Sequence, residues 1–349
     1  MPRSLPRAAA VAVSAVAVTA GVAACGPSDT SGSGSGSSVA TVKLGFFPNV
    51  THATPIVGVQ EGLFAKHLGG TKLTTSPFSA GPAAMEALKS GAVDATFVGP
   101  GPVTNGFTNT GGAIRVIAGA ASGGAEFVVN SSIKSVADLK GQKVASPQLA
   151  NTQDIALRYY LKSKGLKTDL QGGGDVNIVP TENATVTDAF TQKLIVGAWV
   201  PEPYATKLVQ AGGHVLVNEA SLWPKGKFAT TVLAVRTDFM EKHPDTVKQL
   251  LQGELDATAF IKKSPAKAQQ DVADLITKLS GKELKVSLVS AAWKNLDFTV
   301  DPVGASIRTG ADHSFALGVL KQKPDLAKMI DVSVLNSLLK AAGQPEVTP

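Results

Sequence analysis

The stretch Pro77–Pro102, PFSAGPAAMEALKSGAVDATFVGPGP, leaves few options for the chain around it. Gly81 and Pro82 announce a helix, because proline's fixed φ and missing N–H suit a first helical position. Ala84, Met85, Ala87 and Leu88 give that helix an apolar side, and Gly91 stops it. Ala95–Val98 is a short apolar run of the kind buried in a parallel sheet. It runs into Gly99-Pro100-Gly101-Pro102 and a second helix start. In an open α/β sheet that strand end is where ligands sit, facing backbone N–H groups and helix N-termini. Pro77–Pro102 therefore predicts one wall of a binding cleft.

The second wall is predicted at Pro180–Tyr204, PTENATVTDAFTQKLIVGAWVPEPY, which repeats the order loop, helix, strand, Pro-rich loop, helix. Shifted by 102 positions, Leu88 falls on Phe190, Phe97 on Trp199 and Val98 on Val200. A chain of 349 residues is long for one core, so two α/β lobes are expected. The division predicted is 39–125 with 231–349 as one lobe and 126–230 as the other. Further strands are expected at Val42–Phe47, Leu73–Thr75, Ile114–Gly119, Gln142–Ser146 and Asp175–Val179, with Phe127–Asn130 extended. Asn151 or Thr152 caps a helix running to Lys164, and Phe228–Val235 carries the chain back to the first lobe. Helices follow from Pro244, from Pro265 to Gly281, and over Val334–Gly343; their apolar stripes read as core.

The N-terminus has a different character. Arg3 and Arg7 precede an uncharged apolar run from Ala8 to Val22, shorter than a bilayer span and typical of a signal peptide over residues 1–24. The run ends Val22-Ala23-Ala24-Cys25, and Cys25 is the only cysteine. Small residues before a cysteine resemble a lipobox, so Cys25 is expected to carry the lipid that anchors the mature chain outside the cytoplasm. No cysteine is left for a disulfide or for catalysis. Gly26–Ser38 holds six Ser and four Gly in thirteen residues and reads, with Cys25, as a tether of about 20 Å reach. Loss of Arg3 and Arg7 lowers the formal net charge from +6 to +4. No basic run with interleaved aromatics points to nucleic acid.

The five histidines lack metal-ligand spacing, and no nucleophile elbow, zinc helix, phosphate loop or dinucleotide fingerprint stands in a supporting context. An exported chain with no catalytic constellation points to binding rather than turnover, with no metal and no cofactor.

Several motifs then combine. Gly45-Phe46-Phe47-Pro48-Asn49-Val50-Thr51-His52-Ala53, Ala80-Gly81-Pro82, Glu86-Ala87-Leu88 and Gly91-Ala92-Val93-Asp94-Ala95 come first. Gly99-Pro100-Gly101-Pro102, Asn151-Thr152-Gln153-Asp154 and Trp199-Val200-Pro201-Glu202-Pro203-Tyr204 follow in order. Together, after a lipobox, they resemble an ABC-transporter substrate-binding lipoprotein of the aliphatic sulfonate/nitrate/taurine type, related to thiamine-pyrimidine-type binding proteins. The resemblance covers Val42 to Val347. It implies a type II periplasmic-binding fold, two lobes joined by two crossover strands and closing on a small solute. It also implies a permease and an ATPase as partners, and a monomeric chain. An aliphatic sulfonate is the first expectation for the solute, with nitrate, taurine or a pyrimidine precursor of thiamine as alternatives, and an enzyme on the same fold as a remoter one. One departure is Gln192-Lys193-Leu194-Ile195-Val196-Gly197, where relatives tend to have a glycine and an aspartate, as the first half does.

The candidate ligand-binding residues are Asn49, Thr51, His52, Gly81, Gly99, Gly101, Asn151, Thr152, Gln153, Trp199, Glu202 and Tyr204. His52 either touches ligand or caps the next helix, and Trp199 either packs on ligand or fills the second lobe's core. Glu202 would repel a bare anion, so it meets a cationic group, the other lobe or solvent. Because Pro100 and Pro102 have no N–H, the anchor for an anion is expected on the opposite wall, at Asn151–Gln153.

Overall fold

The computed structural model describes residues 39–349. The predicted signal segment 1–24, Cys25 and the tether to residue 38 lie outside the described residues.

Strand and helix alternate through β1 (Thr41–Phe46), α1 (Ala53–Gln60), α2 (Leu63–Leu68), β2 (Lys72–Pro77), α3 (Gly81–Lys89), β3 (Ala95–Val98), α4 (Pro100–Asn109) and β4 (Ile114–Gly123). A second run comprises β5 (Ala125–Val129), β6 (Lys143–Ser146), α5 (Thr152–Ser163), β7 (Asn177–Pro180), α6 (Asn183–Thr191), β8 (Gly197–Pro201), α7 (Tyr204–Gln210) and β9 (His214–Asn218). β10 (Ala229–Arg236) opens a mainly helical remainder. It holds α8 (Thr237–Lys242), α9 (Pro244–Lys263), α10 (Pro265–Ser280), α11 (Val286–Trp293), β11 (Leu296–Phe298), α12 (Gly304–Ala316) and α13 (Ser333–Ala341).

Two sheets result, ordered β11-β4-β10-β3-β1-β2 and β7-β6-β8-β5-β9. Read from the β2 and β7 edges, β2-β1-β3-β10-β4 and β7-β6-β8-β5-β9 are one arrangement used twice. Three strands run parallel in each, and the fourth is antiparallel to its neighbours on both sides. That fourth strand, β5 or β10, is the first the chain makes after passing from the other sheet. The echo has its structural counterpart: β1, α3 and β3 recur as β6, α6 and β8, with first residues 102 apart in each case. At the close of α3, Gly91 takes φ +76°, and the equivalent Lys193 adopts φ +60° with a side chain. The departure at Lys193 is thus a glycine position filled by lysine, at a conformational cost of about 1 kcal/mol.

The first passage between sheets turns on Gly123 and Gly124, at φ +81° and +69°. A Cβ on Gly123 would press on the Asn295 carbonyl, and one on Gly124 would run into Leu296. The cores follow the strand period of two. In the second sheet, Phe127 and Trp199 pack on one face with Leu157 and Leu161. Val128, Ala198 and Val200 pack on the other face with Phe190 and Leu208. The first sheet is covered by a larger core that includes Phe46, Ile56, Phe64, Phe97 and Leu251.

Candidate functional site

The C-terminal ends of the parallel strands carry most of the residues singled out by sequence, as the geometry of open sheets requires. After β1, Asn49, Thr51 and His52 are all buried. The Thr51 hydroxyl donates to Asn49 Oδ1 at 2.6 Å, and the Thr51 carbonyl accepts from Thr231 Oγ1 at 3.0 Å. His52 stacks on Phe47 at 4.4 Å, and its Nδ1 accepts from the Phe47 N–H at 3.2 Å. Burial pulls His52 down to about 3, so its imidazole is neutral with the proton on Nε2. It caps no helix with its side chain; it closes the turn after β1.

Across the cleft, the α4 and α5 N-termini meet. Gly99 is the N-cap of α4, and a Cβ there would collide with Thr152 Oγ1. The Gly101 N–H donates to that oxygen at 3.2 Å. Gly81, in the first turn of α3, lies against Pro102 and has Asn151 Oδ1 3.2 Å from where a Cβ would stand. Asn151 caps α5 by accepting from Thr152 N–H at 3.1 Å. Behind this cap, the buried Asp154 carboxylate accepts from Ser146 Oγ at 2.7 Å, Ala150 N–H at 3.0 Å and Arg158 Nε at 3.0 Å. The loop before α5 is thereby fixed, with Ala150 at φ +65°. Gln153 is buried in the first turn, and its amide makes no hydrogen bond within the described residues.

The end of β8 is arranged otherwise. Trp199 is fully buried, stacked on Phe127 at 5.6 Å and tilted against Tyr160 at 5.5 Å. It belongs to the core, in the place that Phe97 takes in the first sheet. Its Nε1 donates to Glu219 Oε2 at 2.7 Å. Glu202, also fully buried, accepts from Thr206 Oγ1 at 2.8 Å and from Asn295 Nδ2 at 2.6 Å. Asn295 lies between α11 and β11, so Glu202 joins the two sheets beside Gly124. Burial raises the Glu202 carboxyl, against the pull of Asn295 and Thr206. Its neighbour Glu126 is pushed up to about 7 by burial first and by the Glu202 charge second. Tyr204, at the start of α7, is raised to about 12 by burial, with Lys207 Nζ 5.4 Å from its ring centre.

A chamber of about 40 Å³ lies between the sheets, room for a few waters. Gly101 and Thr104 of α4 and Thr152, Ile155 and Ala156 of α5 form two sides. Ser306, Ile307, Gly310 and His313 of α12 form a third, and Glu219, Trp223 and Phe228 close it. Beside it, Tyr159 of α5 stacks on His313 at 3.4 Å, and Lys162 Nζ donates to the Ala316 carbonyl at 2.6 Å. Of the residues singled out by sequence, Gly101 and Thr152 line this chamber. Glu219, Trp223, Phe228 and His313 carried no motif that would have marked them. Among the described residues, no group of three or more His, Cys, Asp or Glu is placed to hold a metal.

Residues 35–277 match the NMT1-like family, more than half of the chain. The chain belongs to that family. Within reach of the NMT1-like chain are a putative binding protein of Brucella abortus and two proteins of Escherichia coli. The first is 26% identical over 283 residues, 80% of this chain and 83% of the relative. A putative aliphatic sulfonates-binding protein of E. coli is 30% identical over 287 residues, 79% of this chain and 84% of the relative. The taurine-binding periplasmic protein of E. coli is 30% identical over 209 residues, 59% and 63% respectively. These relatives are named as binding proteins, not as enzymes. Among solved structures, the alkanesulfonate-binding protein SsuA from Xanthomonas axonopodis pv. citri bound to MOPS superposes with a TM-score of 0.71 at 19% identity, covering 84% of this chain and 99% of that one. The nitrate-binding protein NrtA from Synechocystis gives 0.74 at 16% identity, covering 88% and 90%. Both share the two-lobed periplasmic-binding type II fold with this chain.

Proposed function

We propose that this chain is the extracytoplasmic solute receptor of an ABC importer, taking a small solute of the sulfonate, taurine or nitrate kind between its two sheets. The observation that carries the reading is the chamber, whose walls come from both halves of the chain and whose neighbouring contacts, Tyr159 on His313 and Gly101 on Thr152, join those halves. Family membership and the names of the relatives support the same role. Solute bridging both halves shifts an open–closed equilibrium, and the closed form is what a membrane permease and its ATPase would receive. Cys25 would hold the monomeric receptor at the membrane, and Cys25→Ser should move it from the membrane to the soluble fraction.

Calorimetric titration with alkanesulfonates, taurine and nitrate tests the reading; silence with all of them would sink this choice of solute. A pyrimidine precursor of thiamine is a second reading, favoured by the rings of Trp223, Phe228 and His313 at the chamber, and hydroxymethylpyrimidine belongs in the same titration.

A further inference from the structure

The chamber is lined by one carboxylate and, among its lining residues, by no lysine or arginine. That carboxylate, Glu219, is 2% exposed. Oε2 accepts from Trp199 Nε1 at 2.7 Å and Oε1 from Trp223 Nε1 at 3.3 Å. A carboxylate oxygen can accept two bonds, so each retains capacity for a donor. Aromatic rings stand around it: Trp223 stacks on Phe228 at 5.8 Å and tilts against His313 at 5.9 Å.

The backbone N–H groups along this part of the chamber wall are, by contrast, already engaged or absent, and Gln153, whose amide is unbonded, does not line the chamber. Pro100 and Pro102 have no N–H, Gly101 N–H goes to Thr152, and Thr152 N–H goes to Asn151. The first turn of α5 already carries the Asp154 carboxylate, which offsets the positive end of that helix. A buried carboxylate beside aromatic faces is instead the environment that favours a cation.

We infer that the solute bound in this chamber carries a cationic nitrogen, held by the Glu219 carboxylate beside the Trp223 indole. The inference rests on reading the chamber as the solute site and narrows the solute to an amine-bearing one. The nitrogen donates to Glu219, and the Thr104 and Thr152 hydroxyls are left for the solute's polar end. Burial without a cation raises Glu219 to about 7, and a cation placed against it supplies the charge that the protein withholds.

The test is calorimetry on the full-length protein with three probes: propanesulfonate, 3-aminopropanesulfonate and propylammonium. The aminosulfonate should bind about tenfold or more tighter than propanesulfonate, the scale of a charge-assisted pair. Glu219→Gln should erase that preference, bringing the two sulfonates to within about twofold of each other. Tighter binding of propanesulfonate than of the aminosulfonate would overturn the inference and leave the receptor reading standing. So would a preference that survives in Glu219→Gln. No binding of any probe to the native protein would overturn both. Should Glu219→Gln fail to fold, the order of the probes on the native protein decides alone.

Discussion

Glu219 bears a cost that pH can measure. Its carboxyl stands at about 7 in the folded chain against 4.5 ordinarily, because burial disfavours the charge. As pH rises from 4.5, the unfolded chain ionises this group first, so the folded state loses stability until about pH 7. Glu219→Gln removes that loss, and its stability relative to the native protein should improve by about 3 kcal/mol between pH 4.5 and 7. Urea midpoints of the two proteins at both pH values check this; a constant difference would place Glu219 in water. Comparing the two at each pH cancels His52, which acts in the opposite direction. Held near 3, it costs the folded state stability as pH falls below 6.5. Lys193 is a second local cost. Relieving its φ of +60° through Lys193→Gly should raise stability by about 0.5–1 kcal/mol in the same midpoints.

At the scale of elements, the α5 N-terminus combines two separable tasks. Asp154→Ala would leave Arg158, 1% exposed, without its charge partner and should cost about 3–5 kcal/mol. Thr152→Ala removes only the acceptor for Gly101 N–H, about 1 kcal/mol, yet it alters a chamber wall. Thermal unfolding should therefore separate the two variants, and solute titration should reveal the Thr152 change. Equal stability losses would mean that Thr152 is structural too. The elements themselves were largely legible. Prolines and glycines marked α3, α9 and α10, and β-branched runs marked β1, β3 and β10. Helix α12 was not, because it buries Gly304, Ser306 and Ser314 along with Ile307, a face too polar and too small to make an apolar stripe. A helix facing a cleft has that composition, so hydrophobic periodicity passes over this third side of the chamber. Trp199 shows the limit in the other direction. Its sequence context left both ligand contact and core open; it fills the core, and its indole reaches the site only through the bond to Glu219.

The whole molecule is one strand arrangement used twice, with β5 and β10 each inserted into the sheet the chain has just entered. That exchange puts both passages, at Gly123–Gly124 and between β9 and β10, on the same pair of sheets, and Glu202 ties them through Asn295. The chamber these sheets enclose is where we propose that solute binds. Gly310 of α12 gives direct access to that claim. It lines the chamber, and a Cβ there would meet no atom within 4 Å. Gly310→Trp therefore has room for its Cβ and would carry an indole into that space, and replacing a glycine inside a helix offsets part of any packing cost. The decisive measurement is calorimetric titration of the native protein and of Gly310→Trp with the solute that the native protein binds best. With solute in the chamber, the folded variant should lose affinity at least about tenfold, about 1.4 kcal/mol or more. Equal affinity in a folded Gly310→Trp protein would contradict that placement.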